Sequence, residues 1–275
     1  MSPTGFGASS PVVHLVGAGP GSADLLTVRA TRILAAADVV LHDQLVTGEV
    51  LALARGAEIV PVGRRRGTVF ATHDAVIDRI VDEVTAGRRV VRLKGGDPVV
   101  FGRGGEEALD LARRGIATEL VPGISSCIAA PELAGIPLTH RGLSSGFLVV
   151  TGHRSDGPGL RARDAAVAGA FDGTVVVLMG GTRLLEVCRQ LRHNGRAAGT
   201  PTAVIADAGR PGQRVVVGDL ESVPVLAATE RIGTPAVLVV GDVVAVPDAV
   251  GDAVRESAGD ALQGRGRRTS TAACL

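Results

Sequence analysis

LVGAGPGSADLLT, residues 15–27, runs from an apolar, strand-like stretch through a glycine cluster into a helix-forming segment. Glycines at such a turn let backbone N–H groups approach a ligand with no Cβ in the way. The spacing is close to the dinucleotide fingerprint G-x-G-x-x-G but departs from it. Gly17 and Gly19 match, whereas Ser22 stands at the third position and Pro20 and Gly21 lie inside the loop. Pro20 removes an N–H where a pyrophosphate needs a donor. Asp43, at the end of the next apolar run, is placed as a ribose-binding acid would be. This stretch alone therefore leaves a dinucleotide and another cofactor both open.

Outward from it, short β-branched runs alternate with helical segments, which argues a parallel α/β sheet. Strands are expected at 11–17, 39–43, 58–63, 88–98 and 118–126, each of the last two entering a glycine-containing turn. Helices are expected over 23–38 and 72–87, the second carrying Val76, Ile77, Ile80, Val81 and Val84 as one stripe and ended by Gly87. After Gly135 the turn-rich link GIPLTHRGLSSG opens a second set of elements. These are strands at 147–153 and 174–181 and a helix with Leu184, Leu185, Cys188 and Leu191 inward. A strand pair, TAVIAD and QRVVVG, follows around AGRPG, and TPAVLVVGDVV closes the core. The reading is two α/β domains, residues 11–136 and 146–247. The segment 248–275 loses the apolar rhythm and is expected to be a disordered tail.

The composition narrows the function classes. Of 275 residues, 45% are apolar and 21% charged, with a formal net charge of +1, so no general nucleic-acid binding is expected. With no Trp, no Tyr and five Phe, the chain has almost no platforms on which bases stack. Cys127, Cys188 and Cys274 are far apart and form no CxxC, which argues against a metal centre and fits a reducing compartment. No apolar stretch approaches the ~20 residues of a membrane helix, and no leader pattern opens the chain, so a soluble cytoplasmic protein is expected.

Three further stretches repeat the strand-then-glycine design: RLKGGDPVVFGRGGEE at 92–107, VPGISS at 121–126 and VLMGG at 177–181. Several strand ends are thus expected to converge on one crevice, where α/β sheets bind their ligands.

Taken together, VGAGPGSADLLT, RLKGGDPVVFGRGGEE, VPGISS, GIPLTHRG and LVVTGH closely resemble the uroporphyrinogen-III C-methyltransferases of the tetrapyrrole methylase superfamily, over residues 12–245. The resemblance implies two α/β domains of the tetrapyrrole methylase type, with S-adenosyl-L-methionine in the interdomain cleft, usually as a homodimer. It implies two methyl transfers to carbons 2 and 7 of uroporphyrinogen III. The products are precorrin-2, on the way to sirohaem or cobalamin, and S-adenosyl-L-homocysteine. No metal is implied. Another precorrin methylase, or a non-catalytic relative that binds the same cofactor, is the alternative.

By the same resemblance the cofactor site comprises Pro20, Gly95, Gly96, Asp97, Val100, Ser125, Ser126, Met179 and Ala208. Relatives often have Thr-Ala where this chain has Ser125 and Ser126. Asp43 corresponds to the proton acceptor, and His42 stands where relatives usually have Tyr. Arg64 falls where many relatives carry a Lys assigned as proton donor. A guanidinium stays charged near neutrality and is a poor general acid, so Arg64 is read as an electrostatic contact to substrate. The macrocycle carries eight carboxylates, for which Arg64 and Arg103 are the first candidates and Arg65, Arg66 and Arg141 further ones. Glu106 and Glu107, in the first turn of a helix, are read as structural.

Overall fold

The structure, a computed structural model, describes residues 12–62, 64–65, 68–69, 72–153 and 159–252; of residues 64, 65, 68 and 69 it describes the backbone. The chain forms two compact units. Of the described residues, those up to 130 together with 207–213 make the first, and those of 131–206 together with 214–252 make the second.

In the first unit, β1 (Val12–Gly17), α1 (Val28–Ala36), β2 (Val39–His42), α2 (Gly48–Leu51) and β3 (Glu58–Pro61) come first. A two-strand ribbon, β4 (Arg64–Arg65) with β5 (Thr68–Val69), precedes α3 (His73–Thr85). Then follow β6 (Val90–Lys94), α4 (Gly104–Arg113), β7 (Ala117–Val121) and α5 (Ser126–Leu133), which runs on into the second unit. The main sheet has the order β3-β2-β6-β1-β7, and every pair in it is parallel.

Successive residues of a strand point to opposite faces. Val13 and Leu15 of β1 accordingly pack with Leu41, Ile77, Ile80 and Leu111, while Val16 packs with Val40, Leu34, Val50, Val91 and Leu93. Both faces of the sheet are covered, as an all-parallel sheet requires.

Of the stripe expected on α3, Val76, Ile77, Ile80 and Val84 are buried and Val81 is partly buried against the same cluster, and Thr72 caps the helix by accepting from the Ala75 N–H at 3.2 Å. The helix expected over 23–38 is instead split. A single turn at Ala23–Leu25 gives way to extended backbone at Leu26 and Thr27, and α1 starts only at Val28. The Thr27 hydroxyl accepts from the Ala30 N–H at 3.1 Å, so a capping side chain stops the helix where apolar periodicity alone carries it through.

In the second unit, β8 (Phe147–Thr151), α6 (Ala162–Ala170), β9 (Thr174–Leu178), α7 (Leu184–His193), β10 (Pro201–Ala206), β11 (Arg214–Asp219), α8 (Val223–Thr229) and β12 (Ala236–Val240) build a sheet of order β11-β10-β12-β9-β8. Only β8 and β9 run parallel; β12 is antiparallel to β9 and β10, and β10 to β11. The short turn between β10 and β11 dictates their antiparallel pairing, because a parallel neighbour needs a longer crossover.

The α7 expectation is corrected at one position. Val187, Cys188 and Leu191 are buried, but Leu185 is half exposed. Positions 184, 187, 188 and 191 share one face at 3.6 residues per turn, and position 185 lies off it. The disordered tail expected from 248 is corrected over its first residues, since 246–252 are helical; beyond 252 the expectation lies outside the described residues.

Candidate functional site

The ends of β6, β1 and β7, neighbours in the sheet, deliver the three glycine turns side by side. Backbone hydrogen bonds join them: the Ala18 N–H donates to Lys94 O at 2.7 Å, and Gly19 and Gly96 exchange bonds of 3.1 and 2.8 Å. The Asp97 carboxylate accepts from the Gly123 N–H at 3.2 Å and from the Val99 N–H at 2.9 Å. The acid of the GGD turn is therefore a brace between loops.

These turns approach so closely that side chains are excluded. A Cβ on Gly17 would stand 2.5 Å from Gly123 N and 2.6 Å from Gly96 O. Gly96 itself sits at φ +66°, where only glycine is at ease, and its Cβ position is 3.6 Å from Ser125 Cα. Gly96, Ser125 and Ser126 are thus brought together. The buried Ser125 hydroxyl accepts from Cys127 Sγ at 3.2 Å, which leaves its own proton to be donated.

Pro20 lies in the loop after β1. Next to it, a Cβ on Gly21 would meet Gly209 O and Arg210 Cγ, each at 2.8 Å, and the Arg210 guanidinium donates to Leu45 O. The segment 207–213, which carries Ala208, is thereby part of the first unit.

Several non-glycine residues hold left-handed backbone: Phe101 at φ 54°, Arg103 at 61°, Met179 at 57° and Asp207 at 48°. Each lies in or beside a segment picked out from the sequence. Such conformations cost on the order of 1 kcal/mol or more and concentrate where a loop must present something. Val100 lies between Asp97 and Phe101, half-buried.

Met179, in the second unit, follows β9 and is 47% exposed, so it is not a core methionine. The turn after β9 is packed against the turn after β8, where a Cβ on Gly152 would fall 2.7 Å from Gly180 Cα.

Asp43 follows β2, its N–H donating to Leu93 O at 3.0 Å. Its carboxylate accepts from Arg92 Nη2. His42 is a buried packing residue whose Nδ1 lies 2.9 Å from Asp43 O. Arg103 stands at the N-cap position of α4 without a side-chain capping hydrogen bond, its side chain exposed and 3.7 Å from Glu106. Arg64 is placed by its backbone in β4; its side chain, like Arg66, lies outside the described residues.

Reasoning from the sequence missed the charges under Asp43. Arg92, Lys94 and Glu107 are all buried, and Lys94 Nζ donates to Glu107 Oε1 at 2.7 Å. Burial, then the positive charge of Arg92, pushes the Lys94 ammonium below its ordinary range, against the pull of Asp43 and Glu107. A signal was available: Arg92 and Lys94 alternate with Val91 and Leu93 in a strand that is buried throughout. Period two puts both cations on one face, which demands buried anions opposite. Glu107, read as structural, is one of them.

Among the described residues, no group of three or more His, Cys, Asp or Glu side chains could hold a metal ion, and no helix is long and apolar enough to cross a membrane.

Comparison with known proteins bears on this geometry. The family model of the Tetrapyrrole (Corrin/Porphyrin) Methylases matches residues 12–224. A siroheme synthase of Chromobacterium violaceum is 48% identical over 237 residues, 86% of this chain and 50% of that protein. A uroporphyrinogen-III C-methyltransferase of Methanocaldococcus jannaschii is 42% identical over 238 residues, 86% of this chain and 98% of that protein. The chain thus spans about half the length of the siroheme synthase and nearly all of the methyltransferase. A crystal structure of uroporphyrin-III C-methyl transferase from Thermus thermophilus, complexed with S-adenyl homocysteine, matches with a TM-score of 0.72 at 41% identity, covering 85% of this chain and 99% of that one.

Proposed function

The chain belongs to the tetrapyrrole methylase family, and from that premise we propose that it methylates carbons 2 and 7 of uroporphyrinogen III with S-adenosyl-L-methionine. The products would be precorrin-2 and S-adenosyl-L-homocysteine, serving sirohaem or cobalamin synthesis. The observation that carries the reading is the interlocked set of glycine turns at the ends of β6, β1 and β7. Around Gly17 and Gly123 there is no room for a Cβ, Gly96 holds φ at +66°, and backbone is offered where side chains would otherwise stand. The residues present fit the cofactor. Pro20, Gly95, Gly96, Val100 and Ala208 give small or apolar surface, Ser125 and Ser126 give hydroxyls, and the exposed Met179 thioether is adaptable enough for an adenine face. Asp97 contributes by bracing the loops.

S-adenosylmethionine supplies an electrophilic methyl group on a sulfonium sulfur. Transfer of that methyl to a pyrrole carbon would leave the electron pair of the broken bond on sulfur and a positive charge on the ring. The resulting cationic ring must lose a proton from a neighbouring bridge carbon, and Asp43 accepts it. Arg64 and Arg103 hold propionate or acetate carboxylates of the macrocycle. No covalent enzyme intermediate is required, so alignment and exclusion of water are the main tasks of the chain. The same reading takes the protein as a cytoplasmic homodimer, which sedimentation analysis checks.

The test is an anaerobic incubation with uroporphyrinogen III and methyl-labelled S-adenosylmethionine, with two labels expected per ring. S-adenosylhomocysteine should also stabilise the fold by about 3 kcal/mol at a hundredfold excess over its dissociation constant. Unlabelled tetrapyrrole, or thermal protection by NAD(H) in place of S-adenosylhomocysteine, would overturn the reading.

A further inference from the structure

Four charged side chains of the first unit form one continuous chain. Lys94 Nζ donates to Glu107 Oε1 at 2.7 Å, and Arg92 Nη2 reaches the same oxygen at 3.3 Å while also donating to Asp43 Oδ1. Arg92 Nη1 is fixed by Leu93 O at 3.1 Å and Leu41 O at 3.4 Å. Exposure falls from 31% for the Asp43 side chain to 5%, 6% and 2% for those of Arg92, Glu107 and Lys94. Two cations and two carboxylates cancel in formal charge.

Such a group is a poor device for stability, because desolvation offsets most of the Coulomb gain. It is also incompletely satisfied: Arg92 Nε and Glu107 Oε2 are buried without a hydrogen-bond partner among the described residues. What the arrangement does achieve is directional. A planar guanidinium, pinned by two carbonyls and a carboxylate, has one orientation, and it presents Nη2 to the only member of the group that reaches solvent to any extent.

We propose that Arg92 is the positioning residue of Asp43, with Glu107 and Lys94 as its anchor. It holds the carboxylate at a fixed place and angle, so that proton acceptance needs no reorganisation of the base. The proposal rests on the reading of Asp43 as proton acceptor. Lys94 neutralises Glu107, which would otherwise draw the guanidinium inward and away from Asp43.

The experiment compares the parent enzyme with Asp43→Asn, Arg92→Lys, Arg92→Ala, Glu107→Gln and the double variant Asp43→Asn/Arg92→Ala in the anaerobic methylation assay. Calorimetric S-adenosylhomocysteine binding serves as the check on folding. Arg92→Ala is expected to lower kcat by about 100-fold with KM and S-adenosylhomocysteine affinity within about threefold of the parent. Arg92→Lys should recover a part, to roughly tenfold below the parent, since an ammonium supplies charge without the planar fork. Millimolar guanidinium ion should accelerate Arg92→Ala and leave Asp43→Asn unchanged. The double variant should be no slower than Asp43→Asn, because both changes remove one unit of function.

Additive losses in the double variant overturn the proposal. So does a folded Arg92→Ala with parent-like kcat, or one whose kcat and S-adenosylhomocysteine affinity fall together. If Arg92→Ala does not fold, Glu107→Gln decides: reduced kcat at unchanged cofactor affinity supports the proposal and parent-like kcat overturns it. Parent-like turnover of Asp43→Asn overturns both the proposal and the reading of Asp43. Slow Asp43→Asn beside parent-like Arg92 variants overturns the proposal alone.

Discussion

A Cβ on Gly123 would lie 2.3 Å from the carbonyl oxygen of Gly96, a residue of a different strand-end turn. The two glycines are where the loops after β6 and β7 touch, and the Asp97 carboxylate closes the contact by accepting from the Gly123 N–H. Backbone meets backbone here, so no flexible side chain can move aside. Gly123→Ala is expected to cost about 3 kcal/mol, the upper end of overpacking. It should also weaken S-adenosylhomocysteine at least tenfold by spreading the turns. Paired melting and calorimetry measure both; a variant that melts and binds like the parent would show that the loops separate freely.

Met179 gives a contrasting case, in which binding and stability part company. It is exposed and holds φ at 57°, a conformation glycine adopts without cost. Met179→Gly relieves that strain while loosening the unfolded chain, two effects each on the order of 1 kcal/mol that oppose each other. Stability should stay near that of the parent while S-adenosylhomocysteine affinity falls. A methionine filling a core would instead cost about 2–5 kcal/mol on truncation, and a large drop in melting temperature would assign it that role.

Arg64 is expected to act through its charge. Arg64→Lys should keep most of the turnover, whereas Arg64→Ala should raise KM for uroporphyrinogen III. Moderate salt should narrow the gap between Arg64→Ala and the parent, since exposed ion pairs are screened over about 8–10 Å at physiological ionic strength. Steady-state kinetics at two salt concentrations decide this; a fall in kcat at unchanged KM for both variants would point to proton donation instead.

Cys188 should be inert in the folded protein at ordinary pH. Burial pushes its thiol up from 9.0 to about 12, with Arg192 pulling weakly the other way. Iodoacetamide at pH 8 is expected to label Cys188 only in denaturant, as read by peptide mass spectrometry. The sign for stability follows from the same shift. Below about 9.0 both states hold the proton, and between 9.0 and about 12 only the folded state does, so this group's contribution is lost as the pH rises through that window. Rapid labelling of the native protein at pH 8 would contradict the buried placement.

Much of the first unit was legible because its signals are local. Thr72 and the apolar stripe of α3 lie within a few residues of one another, and so do the turn glycines 17, 19, 95 and 96. Periodicity and turn chemistry act over such distances whatever surrounds them. The split at Thr27 was legible in principle, since a capping threonine is also a local signal, but the apolar rhythm on either side masked it. Leu185 departs from expectation for a similar reason: its hydrophobicity says nothing of the angle at which 3.6 residues per turn places it, off the buried face of α7.

The amino-acid sequence by itself determined which segments form the strands of the two main sheets, though not the β4–β5 ribbon, which turns need glycine, and which family the arrangement belongs to. Tertiary structure alone decided which charges meet. Arg92 and Asp43 are 49 residues apart, and Lys94 and Glu107 are 13 apart. Nothing local joins them. They come together because β2 and β6 are neighbours in the sheet and α4 starts beside them. Sheet order is set by how the helices cover both faces, a property of the whole core. A one-residue change of register would send Arg92 and Lys94 to the opposite face, away from Glu107, so the partner of Asp43 is fixed by pairing that no single segment encodes.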